Sequence, residues 1–398
     1  MLVDVDPALV GANIAHARKR KTGVTQDAVA KAVGISRPTY IAIEAGQRLP
    51  TELQFHAIAR YLEASVRDIL SLAAPDAAVS VRFRRLRGAE QSQDALEALE
   101  EYGRRYATLE RLAQDRIVRR EPPTFSLDRV RNVERAAEEL AATERLRLGL
   151  GDGPLPDLRA AFEEDAGLRI FGLDELRKTR ISGLFGYSGE YGPLVGFNTA
   201  HDSRRVRWTL CHEYAHFLTE RYEPELTLDE GERAGRKDRR EVFADAFSAR
   251  FLMPSTGLSR RFSEMLNDAG GELKVAHLLM LAQFFEVSFQ ALAQRLEELG
   301  RITRGTYAML NERGFKPRGA ESALGLASRS PMDRLPFRYV FLVATLYANG
   351  SVSEGDVAAY LRTDRLTARE ILLAVPESGI PSADGPVPGL DTPIGVTH

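Results

Sequence analysis

The sequence predicts a mainly α-helical protein with one small β-sheet, an α+β chain built from several domains. The 398 residues exceed what a single hydrophobic core usually organises. Apolar residues recur at helical spacing over most of the chain, whereas residues 168–198 carry short runs of strand-forming residues separated by glycine-containing turns. With 44% hydrophobic and 28% charged residues, the composition is that of a globular protein rather than a disordered or fibrous one.

Breaks in the helical pattern divide the chain into four predicted segments. Residues 8–72 form an N-terminal all-α domain, and an alanine-rich hinge around Pro75 follows it. Residues 78–150 are predicted to be a helical linker. The central domain, 151–300, contains the sheet, and residues 301–398 form a C-terminal helical subdomain whose tail is rich in proline and glycine and is expected to be frayed.

Composition also indicates where in the cell the protein is located and which side chains could bind a metal. No stretch has the length and apolarity of a membrane span, and the N-terminus lacks the order of a signal peptide, so we expect a cytoplasmic protein with no membrane partner. Cys211 is the only cysteine, which excludes an intramolecular disulfide and a cysteine-rich zinc site. Any zinc must therefore be bound by histidines and carboxylates.

The net charge of −2 argues against a protein that coats nucleic acid over its whole surface. The basic residues are nevertheless clustered along the sequence. One cluster covers residues 18–21. A second consists of Arg82, Arg84, Arg85 and Arg87. Such a cluster is either a solvated face or a local basic surface, and the sequence leaves both interpretations open.

The first candidate for a catalytic site is an H-E-x-x-H motif at residues 212–216. It lies within a stretch free of proline and glycine that is predicted to be helical. Residues four apart project from one face of a helix, so His212 and His216 can bind one zinc ion. Glu213 lies beside that face. There it would act as general base toward the attacking water, whose acidity the zinc raises. The alternative is a chance match between two ordinary helix histidines.

A catalytic zinc site needs a third protein ligand and an open fourth position. Glu241 stands at the head of the next helix with apolar periodicity, after a polar loop long enough for the chain to turn back. Two histidines and one glutamate are a recognised catalytic set, and such a set accepts manganese as well as zinc. A structural site would fill the fourth position with protein and would have no use for Glu213.

The residues around these candidates resemble the ImmA/IrrE-type metalloproteases. The stretch 208–216, W-T-L-C-H-E-Y-A-H, is similar to the family's T-L-A-H-E-x-x-H, and 241–254 is similar to its E-x-x-A-N-x-F-A-A-x-L-L-M-P. The resemblance covers residues 150–300 and implies a gluzincin-like zinc metallopeptidase domain with Glu241 as third ligand. In this family the usual substrate is a helix-turn-helix repressor, cleaved to release genes in stress responses or mobile elements. The departures from the family pattern touch no proposed ligand and are Cys211, Asp245, Ser248 and Phe251.

Residues 25–44 have the pattern of a helix-turn-helix. Thr25 is placed to cap the first helix, Gly34 to make the turn and Ser36 to cap the second helix. Pro38 falls in the first turn of that second helix, where a missing backbone donor costs little. The pattern therefore predicts a helix that enters the major groove of DNA.

This stretch resembles the XRE/Cro repressor family, including its E-x-G-x-R-x-P ending at residues 44–50, and the match covers residues 14–70. The resemblance implies a double-stranded operator as partner and, from the habits of such proteins, a homodimer. The alternative is a helical module that binds only protein. The residues expected to contact DNA, with those on the second helix predicted to be exposed, are Gln26, Ser36, Arg37, Thr39, Tyr40 and Arg48.

A peptidase needs a hydrogen-bond donor that stabilises the oxyanion of the tetrahedral intermediate. It also needs a partner for the substrate backbone. Tyr187, Tyr191 and Tyr222 are the candidate donors. The run 193–198 is predicted to be an edge strand that pairs with an extended substrate. Further along, residues 353–373 have helical register and a weak helix-turn-helix pattern, and we expect a packing or dimer element there.

The pattern as a whole indicates a DNA-binding transcriptional regulator with zinc-dependent endopeptidase activity. Its substrate would be a repressor-like partner or the chain itself. One alternative is a non-proteolytic repressor or antitoxin with a structural or sensory metal site. Another is a housekeeping peptidase whose N-terminal domain only recruits protein.

Overall fold

The computed structural model describes a mainly helical chain with one small sheet, as the sequence predicts. Its contacts divide the chain into two compact units, Met1–Val79 and Ser80–His398. The residues that the structure describes are 7–20, 24–62, 82–83, 93–115, 122–128, 130–188, 191–221, 239–326 and 331–374.

Within its described residues, 7–20 and 24–62, the first unit contains the helices α1 (Pro7–Arg20), α2 (Gln26–Val33), α3 (Arg37–Glu44) and α4 (Glu52–Tyr61). Their apolar faces meet in one core, whose fully buried side chains include Val10, Ile14, Val29, Tyr40, Ile43, Phe55 and Ile58.

The predicted boundaries of α2 and α3 are confirmed. The Thr25 hydroxyl accepts a hydrogen bond from a backbone N–H of the first turn of α2, and Gly34 ends this helix with a left-handed φ of 75°. The Ser36 hydroxyl caps α3 in the same way, and Pro38 lies in its first turn. Capping chemistry thus fixes the turn between the two helices.

In the described part of the second unit, a four-stranded sheet consists of β1 (Arg82–Phe83), β2 (Arg169–Leu173), β3 (Gly183–Ser188) and β4 (Gly192–Asn198). Their order is β1-β3-β4-β2. Strand β4 pairs antiparallel with β3 and parallel with β2. The prediction that 193–198 forms an edge strand is therefore wrong, because both sides of β4 are already paired.

The helices of the second unit surround this sheet. A π-helical turn follows α7, and a short 3₁₀ turn follows β2. The helices are α5 (Gln93–Leu112), α6 (Val133–Arg147), α7 (Leu158–Ala160), α8 (Ser203–Glu220), α9 (Arg239–Leu252), α10 (Ser255–Asp268), α11 (Val275–Phe285), α12 (Phe289–Glu298), α13 (Thr306–Glu312), α14 (Pro317–Ala323), α15 (Phe337–Ala348), α16 (Glu354–Leu361) and α17 (Arg365–Ala374).

Successive residues of the strands enter two different hydrophobic cores. Phe185 and Val195 lie in a core built with α6, α8, α9, α11 and α12. Leu184 and Leu194 lie in a second core with α5, α15 and α16. This alternation is the two-residue period of a strand with both faces covered.

The cores do not keep the four predicted segments apart. Helix α5 was expected in the linker 78–150, yet its Tyr102 is buried and stacks on Phe171 of β2 at 4.5 Å between ring centroids. The C-terminal subdomain 301–398 also contributes to this second core, through residues such as Tyr339. The contacts therefore unite these segments in one unit. The helical spacing of apolar residues in α5 reflects a buried aromatic face.

Residues 353–373 form α16 and α17, and Val357, Leu361 and Ala368 bury their side chains in the second core. A packing role, which we expected for this stretch, is thus confirmed.

Among the described residues, no single helix is long and apolar enough to cross a membrane, and α11 and α12 reach that length only as a pair bent by 102°.

The contact of α10 with the loop before α7 allows a test of the packing. A Cβ atom on Gly257 would lie 1.7 Å from the backbone oxygen of Asp152, whereas one on Gly319 would meet nothing nearer than 4.0 Å. Both glycines are the third residue of a helix. We expect Gly257→Ala to lower the free energy of unfolding by about 2 kcal/mol or more, because backbone must move.

The matched variant Gly319→Ala should change stability by less than about 1 kcal/mol, in the stabilising direction, because alanine favours an exposed helix. Urea unfolding of both variants can be followed by fluorescence of Trp208, the single tryptophan, which lies in the second unit. Equal unfolding midpoints for the two variants would contradict the close approach at Gly257.

Candidate metal centre and DNA-reading helix

Helix α8 presents the two motif histidines to each other. It begins at Ser203, where the Asp202 carboxylate caps the first turn, and no residue within it interrupts the helical hydrogen bonds. The rings of His212 and His216 lie one turn apart, with 4.8 Å between their centroids. His216 is 1% exposed, so its imidazole is removed from bulk water.

A buried polar triad anchors α8 to α6. The hydroxyl of Tyr214, inside the H-E-x-x-H motif, donates to Glu144 Oε2 at 2.5 Å and accepts from Arg147 at 2.8 Å. Burial, reinforced by the neighbouring Glu144 carboxylate, raises the pKa of Tyr214 well above its usual value, so the phenol stays neutral. The triad fixes the rotation of α8 about its axis, and this rotation sets the direction of both histidines.

Helix α9 brings the third candidate ligand to this face. Glu241 lies in its first turn, with Oε2 3.2 Å from Nε2 of His212 and Oε1 3.7 Å from Nε2 of His216. The ligand atoms of the three residues all lie within 4.8 Å of one another. The structure therefore brings together the three residues that the sequence proposed as ligands.

This donor set fits a divalent metal ion. Two imidazole nitrogens and one carboxylate oxygen are ligands that zinc accepts in a catalytic site. Cys211 does not take part, since it is fully buried in the first core of the second unit, where burial raises the pKa of its thiol to about 12.

Asp245 orients one of the histidines. Its Oδ1 lies 3.2 Å from Nδ1 of His212, and a ring N–H donated to this carboxylate leaves Nε2 with its lone pair toward Glu241. Such a carboxylate behind a ligating histidine fixes the ring and makes it a better ligand. Sequence reasoning treated Asp245 only as a departure from the family pattern, although its position one turn after Glu241 on the same helix face signals its role.

Glu213 is enclosed between α8 and the sheet. It is 6% exposed and projects toward the start of β3. A Cβ atom on Gly183 would lie 3.0 Å from Oε1 of Glu213 and 2.3 Å from Cγ2 of Thr209. Only a glycine at 183 lets the strand approach this carboxylate so closely, a constraint that the sequence did not reveal.

The three tyrosines predicted as hydrogen-bond donors to the oxyanion differ in their positions. Tyr191 is 5% exposed and belongs to the second core, on the face of the sheet opposite α8, which argues against its contact with a reacting carbonyl. Tyr187 stacks on Phe217 of α8, with 6.3 Å between the ring centroids. Tyr222 lies outside the described residues. Tyr187 therefore stays a prediction.

In the first unit, an ion pair joins α1 to α3. Arg18 donates to both carboxylate oxygens of Glu44, at 2.7 and 3.1 Å, and Gln26 donates to the same group at 2.7 Å. Burial pushes the pKa of Glu44 upward, but the hydrogen bonds from Arg18 and Gln26 outweigh it and hold the pKa below its usual value. This network sets the position of α3 relative to α1 and α2.

The candidate DNA contacts divide into two groups. Ser36, Arg37 and Arg48 are exposed, and Thr39 is half-buried beside its partner Ser36, whose hydroxyl lies 2.7 Å from that of Thr39. The Gln26 amide is turned toward Glu44, as described above. These side chains lie at the start of α2, at the start of α3 and after its end.

Tyr40 requires a correction. It was predicted to be exposed toward the groove, but it is 0% exposed and belongs to the core of the first unit. Tyr40 and Ile43 are three residues apart on α3 and therefore share its inward face, where burying an aromatic ring is worth more than leaving it in water. Tyr40 is thus a core residue and not a DNA contact.

The orientation of His212 by Asp245 generates a prediction about metal affinity. We expect Asp245→Ala to weaken zinc binding about tenfold to hundredfold, because His212 loses the partner that fixes its ring. Asp245→Asn should lose less, since the amide oxygen still accepts from Nδ1–H. Competition with a chromophoric chelator measures these constants, with the exposed Asp268→Ala as control. Identical affinities for wild type and Asp245→Ala would refute the orienting role.

Two family models match the chain. The model of the IrrE N-terminal-like domain matches residues 164–297, and a helix-turn-helix model matches residues 14–69. No curated protein and no solved structure matches the chain significantly. The first match contains α8 and α9, and the second contains α2 and α3, so both resemblances noted in the sequence are confirmed. The chain therefore combines an XRE-type helix-turn-helix domain with a peptidase domain of the ImmA/IrrE family.

Proposed function

We propose that this protein is a DNA-binding transcriptional regulator with zinc-dependent endopeptidase activity. The observation that carries the proposal is the convergence of His212, His216 and Glu241 within 4.8 Å, beside a buried glutamate that is not a member of this set. A metal site with three protein ligands and an adjacent base is what hydrolysis needs, and a structural site needs neither feature. The helix-turn-helix domain on the same chain supports a role in regulation.

His212, His216 and Glu241 would hold the metal, and Asp245 would keep the His212 ring in its binding orientation. A bound divalent ion supplies Lewis acidity toward the water and the scissile carbonyl. Glu213 accepts the proton of the attacking water and passes it to the leaving amine. The wall formed by β3 and Thr209 restricts this carboxylate to a few orientations, so little entropy is lost on the way to the transition state.

The same three ligands suit manganese as well as zinc, so the working metal is proposed as zinc on the basis of the donor set alone. The protein substrate is proposed to be a helix-turn-helix repressor or the chain itself. Ser36, Arg37, Thr39 and Arg48 are proposed to contact an operator, with α3 in the major groove of double-stranded DNA. Binding as a homodimer follows from the two half-sites that such readers usually recognise.

The central test separates metal binding from catalysis. Glu213→Gln is expected to keep the metal content of the wild type, because Glu213 is not a ligand, and to lower the rate of peptide-bond hydrolysis about a hundredfold or more, because the base is lost. Elemental analysis measures the first quantity. Mass spectrometry of helix-turn-helix proteins encoded nearby, and of the chain itself, measures the second.

Either of two outcomes would contradict the proposal. Metal in both proteins with no hydrolysis in either would favour a regulator whose metal site is structural or sensory. Hydrolysis at equal rates in the wild type and Glu213→Gln would remove Glu213 from the mechanism.

The close approach of β3 to Glu213 provides a second test. Gly183→Ala is expected to keep the metal but to lower the hydrolysis rate about tenfold to hundredfold, because the added methyl group displaces the base or the Thr209 side chain against it. Thr209→Ser removes the Cγ2 atom that lies 2.3 Å from the added Cβ and keeps the hydroxyl. The double variant should therefore recover part of the lost rate. Failure of Thr209→Ser to restore any activity would contradict this steric account.

DNA reading is tested on α3. We expect Arg37→Ala to weaken binding to the tightest duplex selected from a random-sequence pool about tenfold or more, because an arginine contact to a base or phosphate is lost. Arg60→Ala on α4, also exposed, is the matched control and should change little. Fluorescence anisotropy at several salt concentrations gives both constants. Equal affinities for the two variants would exclude Arg37 from the interface.

A further inference from the structure

The outward face of α3 carries an exposed apolar side chain at its centre. Tyr40 and Ile43 are 0% exposed and define the inward face of this helix. Ile41 lies on the other side, one turn after Arg37, and is 39% exposed. Pro38, in the first turn, is exposed as well. The surface that α3 presents to solvent is therefore largely apolar.

Most polar side chains of α3 are engaged within the first unit. The carboxylate of Glu44 forms the ion pair with α1. The hydroxyl of Thr39 lies 2.7 Å from that of Ser36, and the two form a hydrogen bond. Arg37 is the other charged residue of this helix, and it is exposed. The outward face of α3 thus combines one charged side chain with an apolar surface.

The neighbouring helices present a different surface. On α2, Lys31 and Asp27 form an ion pair at 2.9 Å, with side chains that are 79% and 50% exposed. On α4, Glu52 and Arg60 are exposed, together with the large apolar residue Leu53. The apolar centre of the outward face is thus a property of α3, the second helix of the helix-turn-helix. In such domains this is the helix that enters the major groove.

The major groove offers one apolar group to a protein. Every base pair exposes hydrogen-bond donors or acceptors there, and thymine adds a methyl group at C5. Because isoleucine can neither donate nor accept a hydrogen bond, its contact with any other base edge would leave polar groups of that edge without water and without a partner. Contact with the thymine methyl group instead removes apolar surface of both molecules from water. Ile41 therefore favours thymine over the other three bases.

We propose that Ile41 reads thymine in the operator by packing against its 5-methyl group in the major groove. This inference rests on the proposed DNA binding and names a base that the operator contains. A β-branched side chain in a helix has one strongly preferred rotamer. The methyl groups of Ile41 are therefore already positioned in the free protein, and little side-chain entropy is lost on binding.

The test uses the full-length chain and the tightest duplex selected from a random-sequence pool. Each dT of this duplex is replaced in turn by dU, which lacks the methyl group and keeps every hydrogen-bonding group of the base. Fluorescence anisotropy measures the affinities of the wild type, Ile41→Ala, Ile41→Val and Leu53→Ala. The last variant is the matched control, because it removes an exposed apolar side chain of the same unit from α4 instead of α3.

For the wild type, we expect at least one dT whose replacement by dU weakens binding about threefold to fivefold, as the loss of a buried methyl group predicts. In Ile41→Ala the same replacement should change the affinity less than about 1.5-fold, because the methyl group no longer has its partner. Ile41→Val keeps both carbons attached to Cβ and should retain most of the effect. Leu53→Ala should retain all of it.

A wild-type affinity that no dU replacement changes would overturn this inference and leave the proposed function standing. An undiminished dU effect in Ile41→Ala would overturn it as well, and a weaker homodimer of that variant in sedimentation would then assign Ile41 to a protein interface. A wild type that binds no selected duplex more tightly than a random one would overturn both the inference and the proposed DNA binding.

Discussion

The peptidase unit depends on the meeting of one carboxylate with two histidines from another helix. Glu241 lies 3.2 Å from His212 and 3.7 Å from His216, although a long stretch of chain separates them. Groups that water would solvate well are here partly or fully buried, and burial of such groups is costly unless they are paired or bind a metal. The position of α9 against α8 therefore has to be held by other interactions. The aromatic core between the two helices supplies them, and the Tyr214 triad in turn holds α8 against α6.

Features that depend only on residues a few positions apart in one helix or its cap could be predicted from the sequence. Residues four apart on a helix share a face, which predicted His212 and His216, and the family resemblance supplied Glu241. Capping predicted both ends of the turn between α2 and α3, because Thr25 and Ser36 act on backbone groups only a few residues away. Such local interactions leave the same signature in any fold.

Features that depend on which elements meet were not predictable in this way. The inward face of α3 takes Tyr40 because the other helices of the first unit cover it, and the spacing of α3 alone does not distinguish that face from the outer one. The run 193–198 looks like any short strand, and its central place depends on β2 and β3 pairing with it from both sides. Gly183 matters through contact with Glu213, which lies on a different element.

The central claim is that three protein groups bind the metal and leave a position open for chemistry. X-ray absorption spectroscopy of the zinc-loaded protein at the zinc edge tests it most directly. The account predicts two imidazole nitrogens, one carboxylate and at least one light ligand that exchanges with added cyanide or azide, with one imidazole signal lost in His216→Ala. A closed shell of four protein ligands that no added anion perturbs would contradict it.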